Sequence, residues 1–326
     1  MEMSALDTRI LKHCLEHGVL ASERDMAAKL RISPSTFSFK MRRFEDKGII
    51  TAYKYRVDYA KIGLHQMAWG FYRLHFGRLT PKDAMAKLLE YPQVHVCLFT
   101  TGENNLAIKA YSDSRKSMEE FFASVKKDFR GALGFGNACF VKRQVKGHNQ
   151  PMDDAAPQTA VDETDFRILS QKMLNPEMPL REVAKKLRMH RNTAMKRWAR
   201  MIEDKVVMKK TPIINPDFHR EIGIYLMAVN LFSTRRPAER LAQSLSALNE
   251  VHELDILDDG KGGEHSLLAV LRTADIDEYY RLAGRLYSDR KYSQETSNMK
   301  SKIIITSDSR RHSYLKDIGF GELAGK

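Results

Sequence analysis

Apolar residues in the N-terminal stretch recur at helical spacing on three successive faces. Ile10, Leu11, Cys14 and Leu15 share the first, Met26, Ala27 and Leu30 the second, and Phe37, Met41 and Phe44 the third. Ser22 can cap the second segment, with Asp25 three positions on. Ser33-Pro34 marks the start of the third, because proline suits the first helical turn. The pattern predicts two short helices, a tight turn and a third helix rich in exposed polar residues, which is a helix-turn-helix.

The period then changes. Segments near 66–77, 93–100, 103–111 and 135–145 favour strands, and those near 81–90 and 114–129 favour helices. That order is the split βαβ arrangement of a ferredoxin-like domain. The whole pattern then repeats. LDTRIL at 6–11 returns as TDFRIL at 164–169, and Arg24–Leu30 returns as Arg181–Leu187. Ile62-Gly63 with Met67-Ala68 returns as Ile222-Gly223 with Met227-Ala228. Strands are expected again near 224–233, 250–257, 265–272 and 299–306, with helices near 237–248 and 275–288. Between the copies, KGHNQPMDDAAPQTAVDE (146–163) has two prolines and no apolar period, as a linker does. The fold class is therefore α+β, with two copies of a winged helix-turn-helix domain followed by a ferredoxin-like domain. The expected boundaries are 1–56, 57–146, a linker at 147–163, 164–214 and 215–326.

Charge narrows the partners. The net charge of +13 favours a polyanion, since counterion release from phosphates drives such binding. Residues 1–150 hold 25 Lys and Arg against 15 Asp and Glu, and residues 151–326 hold 29 against 26, so the first half is the more basic. Cys14, Cys97 and Cys139 show neither a CxxC pair nor zinc spacing, which fits a reducing compartment. No window approaches 18 apolar residues, and the N-terminus does not read as a signal peptide, so no membrane partner and a cytoplasmic location are expected. No nucleophile elbow, HExxH or phosphate-loop motif is present, and no cofactor is expected.

SPSTFSFKMRRFEDKGIITAYKYRVDYAKIGL (33–64) resembles the recognition helix, connecting ribbon and domain junction of the Lrp/AsnC (feast/famine) regulators. HRNTAMKRWARMIEDKVV (190–207) is similar to the same element. Thr101-Gly102-Glu103-Asn104-Asn105-Leu106 falls where that family carries the turn lining an effector site. The resemblance implies RAM-type ferredoxin-like domains, double-stranded DNA as partner, a homodimer, and a small-molecule effector such as an amino acid. Three departures stand out. The chain has two copies, Lys205 stands where the first copy has Gly48, and Asn105 and Ser266 stand where the family usually has an acidic residue.

With Phe37, Met41 and Phe44 packed inward, Ser35, Thr36, Ser38, Lys40, Arg42 and Arg43 are the first copy's candidates for DNA contact. The second copy offers Arg191, Asn192, Thr193, Lys196, Arg197 and Arg200, with asparagine suited to adenine and arginine to guanine. A solvated basic helix face is the alternative for each. Thr101, Gly102, Glu103 and Asn105, with Gly263, Glu264 and Ser266, are the effector candidates, against the alternative of ordinary hairpin turns. Pairing of each ferredoxin-like domain with its twin in a second chain is favoured over pairing of the two copies within one chain.

An enzyme class shares this layout. Siroheme decarboxylases resemble it and sometimes occur as fused pairs, using histidine and arginine near a tetrapyrrole. Candidates for that chemistry are Arg73, His75, His95, His252 and His265. The basic recognition helices argue for DNA and against catalysis, so the expectation is a regulator that is not an enzyme. A chromosome-organising protein with little sequence preference is a third reading.

Overall fold

The computed structural model describes residues 3–20, 22–147, 161–219, 221–223, 226–258 and 264–309. The first copy runs α1 (Ala5–His17), α2 (Glu23–Leu30), α3 (Pro34–Asp46), β1 (Ile50–Val57), β2 (Gln66–Leu74), α4 (Pro81–Leu88), β3 (Val94–Thr100), β4 (Leu106–Ser112), α5 (Arg115–Asp128) and β5 (Leu133–Lys146). The second runs α6 (Glu163–Leu174), α7 (Leu180–Lys186), α8 (Arg191–Glu203), β6 (Val207–Ile214), β7 (Leu226–Thr234), α9 (Ala238–Ser246), β8 (Val251–Leu257), β9 (Leu267–Thr273), α10 (Ile276–Ser288), α11 (Arg290–Ser293) and β10 (Thr296–Ser309). The sequence pattern does not foresee α11.

The chain divides into two compact units, and each draws on both copies. One comprises Met1–Asp58 and Arg167–Tyr225. Its first three helices start where serine side chains cap them. Ser4 and Asp7 form a reciprocal capping box on α1, and the hydroxyls of Ser22 and Ser33 accept from the amides of Asp25 and Thr36. Ile10, Leu11, Cys14, Met26, Leu30, Phe37, Met41 and Phe44 close one core, as the periodicity anticipates. After each third helix the chain enters a strand, and β1 pairs antiparallel with β6, with Tyr53 opposite Pro212.

The turns of the two copies match in backbone as well as in position. Arg31 and Arg188, between the second and third helices, sit at φ +54° and +52°. Gly48, after α3, has φ +65°, and Lys205, after α8, keeps the same left-handed conformation at +56°. A Cβ at Gly48 would meet nothing within 4 Å. Loss of the glycine in the second copy is therefore a matter of backbone preference, not of space.

The other unit, Tyr59–Phe166 with Leu226–Lys326, is a closed eight-stranded barrel in the order β10-β3-β4-β2-β5-β8-β9-β7. Within it, β3-β4-β2-β5 and β8-β9-β7-β10 are two ferredoxin-like sheets. The last strand of each pairs antiparallel with the second strand of the other, as β5 with β8 and β10 with β3. Closure leaves neither sheet with a free edge. The favoured expectation of pairing between chains is thus corrected, because the second copy covers the face that a twin chain was expected to cover. One helix layer packs on each sheet, around Ile108, Phe122 and Val125 in the first copy and Leu241, Leu254 and Leu282 in the second.

Candidate nucleic-acid interface and predicted effector turns

The two recognition-helix candidates differ in how many of their polar side chains are exposed. On α3, the hydroxyls of Ser35 and Thr36 close on Ser33 Oγ at 2.8 and 2.7 Å. The Ser38 hydroxyl lies within hydrogen-bond reach of two acceptors, the Glu23 carboxylate and the Pro34 carbonyl. Lys40 turns inward, and its ammonium meets the buried Asp7 carboxylate at 2.8 Å. Burial raises the Asp7 pKa, but the bonds from Lys40 and Ser4 outweigh it and hold this carboxyl below its ordinary value. Arg42 is exposed, Arg43 half-buried, and Phe39 is 64% exposed between them and the helix start.

The α8 helix is better furnished. Arg191, Asn192, Thr193, Lys196 and Arg200 are all exposed, and Arg197 is half-buried. No acidic residue lies between Glu182 and Glu203. His190 caps the helix, its Nδ1 accepting from the Asn192 amide at 3.3 Å. Trp198 is buried, packed edge-on against Tyr55 with ring centroids 5.1 Å apart. Lys172 lies over both rings, so Trp198 serves the core beneath the helix. A further basic patch lies between α1 and α2, where Arg9, Lys12, Lys29 and Arg31 line an open groove of about 640 Å³.

The predicted effector turns are hairpins tied into the barrel. The Thr101 amide donates to the Ile303 carbonyl, and the Thr101 hydroxyl accepts from the Ile303 amide, both at 2.9 Å. Lys302 reaches the Asn104 carbonyl at 2.9 Å. Asn105 Oδ1 accepts from the Leu74 amide at 2.8 Å, and Glu103 pairs with Arg73. Gly102 takes the positive φ, +92°, that the turn requires. In the second copy, Glu264 pairs with Lys300, and the Ser266 amide donates to the Phe232 carbonyl. Gly263 lies outside the described residues.

The histidines of the enzyme reading occupy separate settings. His75 is exposed after β2. His95, half-buried on β3, meets the Tyr59 hydroxyl at 3.2 Å and stacks edge-on with Tyr111. His252 begins β8 at the position that His95 takes in β3. His265 is buried against Ser233, and burial lowers its pKa.

A buried cluster spanning both copies escapes a reading of the motifs alone. Lys109 pairs with Glu253, and Gln144 Nε2 donates to Glu253 at 2.7 Å and to Asp255 at 2.8 Å. The Trp69 indole also donates to Asp255. Burial opposes the Lys109 charge, yet Glu253, Tyr111 and Asp255 outweigh it and drive its pKa up. Burial, followed by the Glu253 charge, raises Asp255 to about 7. One signal was available in the sequence. Lys109, Glu253 and Asp255 are charged residues within largely apolar strands. Among the described residues no cluster of His, Cys, Asp and Glu could hold a metal ion.

The described elements thus form a mixed α+β structure in which three helices and a strand precede each of two four-stranded antiparallel sheets, and the two sheets close one barrel. No family model matches it. In sequence it is 29% identical over 132 residues to an uncharacterized HTH-type transcriptional regulator of Pyrococcus furiosus, a match covering 38% of this chain and 82% of that protein. In structure it is similar to the siroheme decarboxylase NirDL in complex with an iron-uroporphyrin III analogue. The TM-score is 0.63 at 15% identity, covering 98% of this chain and 95% of that one. A structure of E. coli AsnC matches 47% of this chain at 18% identity, with a TM-score of 0.38.

The likeness to NirDL is one of fold, and it corrects an expectation. The layout was read as that of a protein that is not an enzyme, yet solved structures that share it from end to end are of an enzyme. Retained basic helices therefore give no ground for excluding catalysis. Among the described residues no helix is long and apolar enough to cross a membrane.

Proposed function

We propose that this chain is a sequence-specific, double-stranded DNA-binding transcriptional regulator of Lrp/AsnC type, with α8 as its principal reading helix. The observation that carries this reading is the exposed face of α8, on which Arg191, Asn192, Lys196 and Arg200 all reach the surface. Such a face supplies donors for base edges and phosphates together. The first copy contributes differently. With Lys40 and the α3 hydroxyls engaged, its Arg42 and the groove of Arg9, Lys12, Lys29 and Arg31 suit phosphates, which position the protein without reading sequence. A small-molecule effector belongs to the same reading. The sequence relationship to an HTH-type regulator supports it.

The test is genome-wide mapping of bound sites, followed by gel-shift titration of a mapped site against random DNA at one stated salt concentration. The regulator reading expects the mapped site to bind at least about a thousandfold tighter. A ratio near one would remove sequence-specific regulation and favour a low-specificity, chromosome-organising role among the DNA-binding readings.

A second reading has its own support in the end-to-end fold match to NirDL. On that reading the chain decarboxylates a siroheme-like tetrapyrrole, with Arg73, His75, His95, His252 and His265 as the candidate groups. Incubation with siroheme, followed by absorbance and mass spectrometry, tests it directly. Loss of carbon dioxide from the tetrapyrrole supports the enzyme, and unchanged siroheme removes it.

A further inference from the structure

The two ferredoxin-like copies differ at one place in their helix layer, and the difference leaves a cavity. In the second copy the chain passes from α10 into β10 through the extra turn α11, which packs against α9 and buries Tyr292 in the core. Thr296, which opens β10, follows Asp289 by seven positions. In the first copy, Leu133, which opens β5, follows Asp128 by only five, and no helical turn forms. Between the ends of α4 and α5 there remains an open cavity of about 650 Å³.

Its chemistry is uneven in a way that points to a ligand. Tyr91 and Phe129 supply aromatic surface at its base, their ring centroids 6.4 Å apart. The Tyr91 hydroxyl donates to Asp128 at 2.5 Å, which engages that carboxylate and fixes the ring. Around the mouth, Arg78, Lys87 and Arg130 are exposed cations facing one remaining lining carboxylate, Glu90. Gly131, also on the wall, has open space where a side chain would begin. A cavity of this size, apolar at the base with a few convergent charges, is of the kind that holds small molecules.

We propose that this cavity binds a flat aromatic monocarboxylate, its ring on Tyr91 and Phe129 and its carboxylate among Arg78, Lys87 and Arg130. The second copy needs no such ligand, because its own α11 packs an aromatic residue beside α9. The site is separate from the hairpin turns of 101–106 and 264–266. Binding here does not require that the chain recognise DNA, so the two proposals stand or fall apart.

The experiment uses the full chain without DNA and indole-3-acetate as probe, followed by saturation-transfer NMR and calorimetry. Indole-3-acetamide, which has the same ring without the charge, is the control. The expected result is one saturable site with Kd of about 1 mM or tighter, and at least about tenfold weaker binding of the amide. The paired substitution Arg78→Ala and Arg130→Ala weakens the acid by a similar factor, and Ala132→Trp, on the cavity wall, blocks both ligands. No saturable binding to the unsubstituted chain, equal binding of acid and amide, or binding unchanged by the arginine substitutions would overturn the proposal.

Discussion

The indole N–H of Trp69, on β2 of the first copy, donates to Asp255 Oδ2, on β8 of the second, at 3.0 Å, with both side chains buried. The bond lies at the seam where β5 meets β8, and Gln144 and Lys109 converge on the same acidic pair. Two carboxylates facing one ammonium in a dry interior leave a surplus negative charge, which a proton on Asp255 relieves. The seam thus combines chain closure with a group poised to titrate near neutrality.

Stability is expected to fall as pH rises toward neutrality. The folded Asp255 pKa of about 7 lies above its ordinary value of 3.8. The folded chain therefore binds the extra proton between those values, and its contribution is lost as pH rises through the folded pKa. Urea unfolding at a series of pH values measures this slope. Asp255→Asn, which is neutral at every pH, flattens the fall between pH 4 and 7. A slope unchanged by the substitution would assign the titration elsewhere.

Removing Lys109 has a larger effect. Lys109→Met leaves Glu253 and Asp255 buried without their cation, at an expected cost of about 3–5 kcal/mol. Chemical denaturation reads the loss, and a change below about 1 kcal/mol would show that the pair contributes little.

Lys40 offers a clean separation of structural from DNA-binding roles. Lys40→Ala strands the buried Asp7 carboxylate and is expected to lower stability by about 1–3 kcal/mol. The folded Asp7 pKa is depressed, so the contribution is present above its ordinary value of 3.8 and lost as pH falls below it. DNA affinity of the folded variant should stay within about twofold. A large loss of affinity with unchanged stability would return Lys40 to the DNA face.

On α8, Lys196→Ala should weaken DNA binding across all sequences and reduce the slope of log affinity against log salt by about one. Arg42→Ala tests the first copy by the same titration. Unchanged affinity and slope for both would count against the proposed interface.

Lys205→Gly relieves a side chain from a left-handed backbone with no core contact to lose. An increase of about 0.5–1 kcal/mol in unfolding free energy is expected. Thermal unfolding measures it, and a decrease would mean that the Lys205 side chain stabilises the turn by contacts of its own.

Local order was written plainly in the chain. The apolar spacing of Ile10, Leu11 and Cys14 and of Phe37, Met41 and Phe44 anticipates the helices that bury them, and Ser22 and Ser33 mark helix starts. These features are readable because capping and amphipathic periodicity act over a few residues. The short helix α11 escaped, being a single turn set by two extra residues. Exposure of the α8 cations likewise followed from the helical period, as did the inward set of Met41 and Phe44.

Tertiary structure decided which surfaces meet. The strand period of β5 and β10 says nothing about whether their partners lie in the same chain, and the barrel answers it by pairing them with β8 and β3. Lys40 looked outward in sequence because a basic residue on a recognition helix usually does, and Asp7, 33 positions earlier, draws it in. Thr101 and Asn105 were read as ligand contacts, and the barrel gives their side chains hydrogen bonds from the Ile303 and Leu74 amides. Trp69 finds Asp255 across 186 residues, and Lys109 finds Glu253 across 144. By itself the sequence determined the elements, their order and their duplication, since those depend on neighbours along the chain. The fold chose the partners of its charged and polar groups, since burial and proximity across the barrel arise only once distant segments have packed.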